Sequence, residues 1–285
     1  FDQYLSVQPN DAAARALRNS CDSISQWQQD SSQYSITLSK VNTEGSNFSP
    51  VYYRDGIVFV SDRNKKSKTY EWTGRPFLDL YFAKADASGQ YAGAIPLQGD
   101  VNGIYHEGPA TFSSKGDTVY FTRNNYQKKK VKKSEEEVVI LKLYQAVKKD
   151  TSFKDVKELP FNSNEYSTGH PSLSRDGNTL YFVSDMPGGQ GGSDIYKSVK
   201  EKGTWGKPVN LGPEINSPYD EVFPLIWQDS VLYFSSTGHS GMGGLDIFKS
   251  ERKADGSWSA PRNMGYAMNT SYDDFGIALN DSGTA

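Results

Sequence analysis

Glu107, Glu221, Asp273 and Asp274, with His106 and His170 beside them, fall at corresponding places in a repeated pattern, just ahead of a proline- or glycine-marked segment. Carboxylates gathered from successive repeats around one opening could share protons across a glycosidic bond. That chemistry needs two carboxyl groups about 5–9.5 Å apart; the same groups could instead hold a cation. The same column holds Asn47-Phe48 and Thr168-Gly169 in other copies, so no single residue type recurs. The competing reading is that these side chains bond to neighbouring loops and close the repeats on one another.

Two glycine-rich stretches, SDMPGGQGGSD (184–194) and SSTGHSGMGGLD (235–246), are the next candidates. A phosphate cradle must open a helix, whereas here a strand follows at once. Glycines there suit a tight connection, and Asp194 and Asp246 are expected to turn their carboxylates onto loop N–H groups. Calcium at Asp185 and Asp194 would need six to eight oxygens, more than the loop offers. GHSGMG fails as a nucleophile elbow, because Met242 stands where the second glycine belongs and a strand follows rather than a helix. The three histidines show no metal-ligand spacing, and no cofactor or metal site is expected. Two insertions stand out. NKKSKTYEWTGRP (64–76) carries Tyr70, Trp72 and Arg75, apolar area beside a cation that suits a partner surface; QKKKVKKSEEEVV (127–139) reads as a solvated charged extension.

The elements that must position these residues are β-strands in repeats. Pro-containing strands at Pro50, Pro109, Pro171 and Pro224 are each followed by an aromatic strand aligned on Phe59, Phe121, Phe182 and Phe234. A third strand follows, aligned on Tyr81, Tyr144, Tyr196 and Phe248. The copies lie about 50–60 residues apart, the spacing of propeller blades of roughly 40–50 residues with insertions. Asn42, Asn102, Asn162, Asn216 and Asn269 mark the path from each outer strand to the next inner one, and FGIAL (275–279) begins a fifth copy. The expected fold is therefore mainly β: a propeller over 31–285, five blades favoured and six possible, with the middle strands of the last blade lying past Ala285. The first outer strand, Ser35 to Val41, is expected to close the ring on that blade. Residues 1–30 read as helical, with a break at Pro9-Asn10, a cap at Asn10 or Asp11, and Ala13, Leu17 and Cys21 on one face. Phe1 falls mid-pattern, so the natural N-terminus is expected upstream. Formal net charge of −3 gives no footprint for nucleic acid, no apolar run approaches a membrane span, and the single cysteine forbids an internal disulfide.

The phrases FVSDMPGGQGGSDIYKS, W-x-x-P-x-NLG-x-x-INS and FSSTGHSGMGGLDIFKS resemble the WD40-like, TolB-type propeller repeats of Bacteroidota envelope proteins. In particular they resemble OmpA-family periplasmic lipoproteins of the PorE kind in type IX secretion. The Tyr-x-x-x-Pro-x-Asp-x-x-Ala junction resembles the end of a tetratricopeptide repeat. Blade two departs from the pattern, with Lys142 where other repeats have Asp79, Asp194 and Asp246. The resemblance implies a periplasmic, outer-membrane-associated scaffold without enzymatic activity. Its partners would be an outer-membrane barrel of the PorP/SprF type and other secretion components, with peptidoglycan bound only by domains absent from this chain. The alternatives are a glycosidase-like propeller enzyme, or a module taking glycan or peptide at an aromatic-lined channel mouth.

Overall fold

The computed structural model describes residues 1–29, 35–65, 68–127 and 130–284. Among them four antiparallel sheets follow one another, each running from an inner to an outer strand. Blade one comprises Asn47–Tyr53, Gly56–Ser61, Asp79–Ala85 and Tyr91–Pro96. Blade two comprises Glu107–Phe112, Thr118–Asn124, Leu141–Lys149 and Ser152–Glu158. Blade three runs Thr168–Leu173, Thr179–Ser184 and Asp194–Glu201, with Thr204–Trp205 and Val209–Asn210 outside. Blade four runs Glu221–Trp227, Val231–Ser236, Asp246–Glu251 and Arg262–Asn263.

The middle strands are buried on both faces, so alternate residues build two different interfaces. Val58, Val60 and Leu80 of blade one meet Phe121 and Tyr144 of blade two. Tyr120 and Leu143 of blade two meet Phe182 and Tyr196 of blade three, and Tyr181 and Ile195 of blade three meet Phe234 and Phe248 of blade four. One aromatic column thus fills every junction. Each inner strand carries a β-bulge at its proline, between Phe48/Val51, Glu107/Ala110, Gly169/Ser172 and Val222/Leu225. Proline has no N–H to give a ladder, so the bulge falls where a bond would be lost anyway. Ser49, His170 and Phe223, each just before its proline, take the left-handed conformation with φ of 51°, 48° and 52°.

Five blades were expected and four form. Phe275 to Leu279 does reach the axis, where Gly276 packs against the backbone of Ser49, yet it pairs with no strand among the described residues. Ser35 to Val41 is likewise unpaired rather than the expected outer strand, while Tyr34 and the 30/31 boundary lie outside the described residues. The helices are Asp2–Val7 and Ala12–Gln29. Asp11 caps the second by accepting from Ala14 N at 3.0 Å. Its docking face is not the expected one: Ala14 and Ser20 are buried, while Leu17 and Cys21 are exposed. Ser20 Oγ accepts from Gly241 N at 3.0 Å, and Trp27 O from Tyr266 N at 3.1 Å, seating this helix on blade four.

Phe182 has no exposed surface and stacks on Phe161 at 4.6 Å. Phe182→Ala is expected to destabilise the fold by about 3–5 kcal/mol, measured by denaturant unfolding; a near-neutral result contradicts this blade register.

Candidate functional site

The axis is closed by an aromatic plug. Phe48 of blade one, Phe223 of blade four and Phe275 pack with centroid separations of 6.4, 5.9 and 4.7 Å, and His170 stacks on Phe223 at 4.0 Å. Beneath it only about 40 Å³ remains, lined by Pro50, Pro109, Pro171, Pro224 and Gly276. Above it opens a cavity of about 450 Å³. Phe48, His170 and Phe223 belong to its floor, and Tyr70, Trp72 and Arg75 to its wall. Those three stand on the hairpin Thr69–Tyr70/Arg75–Pro76. Tyr70 meets His106 edge-on at 4.7 Å, which fixes the hairpin over the mouth. Trp72 is 88% exposed, with its edge toward Tyr70 at 6.5 Å. Two sets of residues expected separately, His106, Glu107 and His170 on one hand and Tyr70, Trp72 and Arg75 on the other, line one cavity.

The other expected carboxylates do not join them. Glu221, Asp273 and Asp274 are absent from the cavity lining, and each is committed to the backbone. Three of the four close the turn ahead of an inner strand by accepting an N–H four residues back: Glu107 from Gly103 at 2.9 Å, Glu221 from Ser217 at 2.7 Å, Asp274 from Thr270 at 2.5 Å. Asp273 accepts from Leu245 N at 2.9 Å, as Asp220 does from Ser193 N and His106 Nδ1 from Leu78 N at 3.1 Å, latching each crossover to the blade before it. The expected ring of carboxylates is therefore a set of turn clamps and blade latches. Among the described residues no group of His, Cys, Asp and Glu is placed to hold a metal ion.

Glu107 is fully buried and pairs with Arg123 Nε at 2.8 Å. Burial pushes its carboxyl up to about 8, against the opposing pull of that guanidinium. Glu221 is raised by burial too, although Ser217 Oγ and Ser236 Oγ donate to it at 2.6 Å each. Burial lowers His106 and brings His170 to about 4. A neutral His170 agrees with its contacts, since its Nδ1 accepts from Phe223 N at 3.4 Å. Several polar side chains lining the cavity are already bonded within the frame. Asp62 takes Ser46 N and Arg75, Thr122 bonds Pro109 O and His170 N, and Asn124 takes His106 N. What the cavity offers a visitor is apolar and aromatic surface.

In the glycine loops the aspartates turn onto loop N–H groups as expected, whereas of the glycines, expected to permit positive φ, only Gly188 takes it. Asp194 accepts from Gln190 N and Gly191 N, and Asp246 from Met242 N and Gly243 N. A side chain at Gly191 or Gly243 would run into the carbonyl of Tyr219 or Tyr272 in the next crossover, so these loops are joints between repeats.

No protein-family model and no curated protein matches the chain. Solved structures match its fold. The α-L-arabinofuranosidase of Lactobacillus brevis superposes with a TM-score of 0.50 at 12% identity, over 81% of this chain and 75% of that one. TolB of Acinetobacter baumannii gives 0.48 at 15% identity, over 80% of this chain and 45% of its own. A putative glycoside hydrolase of Parabacteroides distasonis gives 0.45 at 12%, over 78% and 74%. This chain thus spans less than half the length of the TolB structure. The fold is that of a β-propeller. The expectation that the chain is not an enzyme does not stand, because the arabinofuranosidase shares this fold.

Sequence reasoning missed the aromatic plug. Its signal was present: Phe48 and Phe223 lie two and one residues before the inner-strand proline column, and Phe275 opens the fifth copy.

Two outcomes follow. Glu107→Ala leaves buried Arg123 without its carboxylate, holding only the carbonyls of Asp100 and Val101, and is expected to cost about 3–5 kcal/mol, read by denaturant unfolding; a loss below 1 kcal/mol contradicts the clamp role. His170 has a folded pKa near 4, below the roughly 6.5 of an unfolded histidine. Its contribution is whole above about pH 6.5 and lost as pH falls through about 4, by roughly 1–3 kcal/mol. Stability measured from pH 7 to 4 should show this acid loss, and His170→Asn should flatten it.

Proposed function

We propose that this chain is an interaction module whose channel mouth receives an extended peptide segment of a partner protein, anchored by an apolar side chain. The observation that carries this reading is the pairing of an exposed Trp72 with a cavity of about 450 Å³ whose lining is mostly apolar and aromatic. A glycan would present many hydroxyls to a mostly apolar surface. An apolar anchor makes no such demand, and it gains about 25 cal/mol per Å² buried. Arg75 at the rim, itself half exposed and 3.3 Å from Asp62, can take a carboxylate from the visitor.

In its wider setting we read the chain as part of an OmpA-family periplasmic lipoprotein of the PorE kind. The reading rests on the repeat phrases of blades three and four and on the helix that leads into the propeller. Residues 1–30 would then close a tetratricopeptide-like array ahead of the propeller of 31–285. The partner would be an outer-membrane barrel of the PorP/SprF type within type IX secretion, at the periplasmic side of the outer membrane.

The test is copurification with that barrel from native envelopes, wild type against Trp72→Ala and Tyr70→Ala. Truncating an interface tryptophan at such an anchor is expected to cost about 2 kcal/mol or more of binding, with the unfolding midpoint unchanged. Barrel retained at wild-type level by both variants would overturn the site; turnover of an aryl arabinoside by the purified chain would move the reading to the hydrolases.

A further inference from the structure

We propose that the end of the channel opposite the aromatic plug binds a small polyanion, a molecule carrying two or more phosphate or carboxylate groups. The proposal does not depend on the reading of the plugged mouth, which lies at the other end of the inner strands.

The turns that follow the inner strands surround a second cavity, of about 430 Å³. Three cations stand at matching places in its wall: Arg54, Lys115 and Arg175, one from each of blades one to three. All three are exposed. Among the described residues none of their side chains makes an ion pair or a hydrogen bond; Arg54 only rests over the Tyr53 ring at 5.4 Å. Against them the wall holds one carboxylate, Asp281. The same turns carry other aspartates, but these are occupied and do not line the cavity. Asp55 pairs with Lys84 at 2.8 Å, Asp117 accepts from Ser113 Oγ at 2.7 Å, Asp176 from Ser174 Oγ at 2.6 Å, and Asp229 from Arg175 N at 2.8 Å.

Two further observations set this arc apart from ordinary solvated charge. Arg54 leans toward the next blade, its Nε 3.9 Å from where a Cβ on Gly116 would stand, in the turn that carries Lys115. Like charges brought together repel, and no carboxylate of the wall lies between them in the repeat order. Arg54 is also held at φ 54°, in the two-residue connection between Tyr53 and Gly56. A hairpin with positive φ at its first central residue calls for glycine there, and any other residue is strained. The frame uses no hydrogen bond from the side chain that carries this strain. An anionic group between Arg54 and Lys115 offsets their repulsion and suits the planar guanidinium fork. A second anionic group on the same molecule answers Arg175.

The experiment is calorimetric titration of the chain at low ionic strength with pyrophosphate and with citrate. It compares wild type with Arg54→Gly, Arg175→Ala and, outside the cavity, Lys202→Ala. The expected result is one saturable site that weakens as salt rises. Arg54→Gly and Arg175→Ala should each lose about tenfold or more in affinity, with Lys202→Ala unchanged. Glycine suits the backbone at position 54, so the unliganded Arg54→Gly chain should keep or raise its thermal midpoint. Lost affinity in that variant then reports the cation rather than the fold. Tighter pyrophosphate marks a phosphate ligand, and tighter citrate a polycarboxylate. No saturable binding of either anion overturns the proposal, as does binding that both arginine variants leave at wild-type strength. Adsorption to phosphatidylglycerol vesicles with neither small anion bound also overturns it, in favour of a membrane surface.

Discussion

The backbone N–H groups of Leu80, Leu143, Ile195 and Ile247 lie in buried third strands and meet no backbone acceptor there, whereas their C=O groups take the N–H of Leu97, Leu159, Leu211 and Met264. A buried amide without a partner costs about 1–3 kcal/mol, so something must meet them. An asparagine in the crossover does, because its side-chain amide oxygen takes that N–H while its NH2 gives the neighbouring C=O a second donor. Asn216 and Asn269 are themselves 2% and 0% exposed, and the eight bonds fall between 2.7 and 3.2 Å. This pairing fixes where each crossover leaves its blade. The turn clamps at Glu107, Glu221 and Asp274 and the latches at His106, Asp220 and Asp273 then set the angle at which the next inner strand starts.

From that angle the mouth follows. The bulge at each inner proline turns Phe48 and Phe223 inward, and His170 and Phe275 complete the plug. A plugged axis cannot pass solutes, so whatever this mouth binds must sit above the plug, where the blade-one hairpin adds Tyr70 and Trp72. Side chains on a rigid frame can present exposed aromatic area without the frame collapsing onto it. Asp62, Glu107 and Thr122 are engaged by the frame itself, and the rest of the lining is mostly apolar and aromatic.

The repeat, its strand order and the aromatic column were legible because each uses a period-two alternation with a fixed aromatic pair. Phe121/Tyr144, Phe182/Tyr196 and Phe234/Phe248 recur visibly and pack as that recurrence implies. The asparagine column was visible as spacing, but its role was not, since bonding to a third strand is a tertiary fact. Glu107, Glu221 and Asp274 looked like candidates for acid–base work because charge on a repeat edge reads alike whether it faces a channel or closes a turn. Only the N–H four residues back tells the two apart. Tyr70 and Trp72 were legible as exposed aromatic area; that they share a cavity with His106 and His170 depends on the fold of a hairpin with two-residue strands, Thr69–Tyr70 and Arg75–Pro76, which sequence spacing does not encode.

Native-state hydrogen exchange at Leu80, Leu143, Ile195 and Ile247 tests the asparagine clamp most directly. The account predicts that all four amides exchange in the slowest class, with one common free energy equal to that of global unfolding. Exchange of any of them as fast as a turn amide such as Gly203 would contradict it.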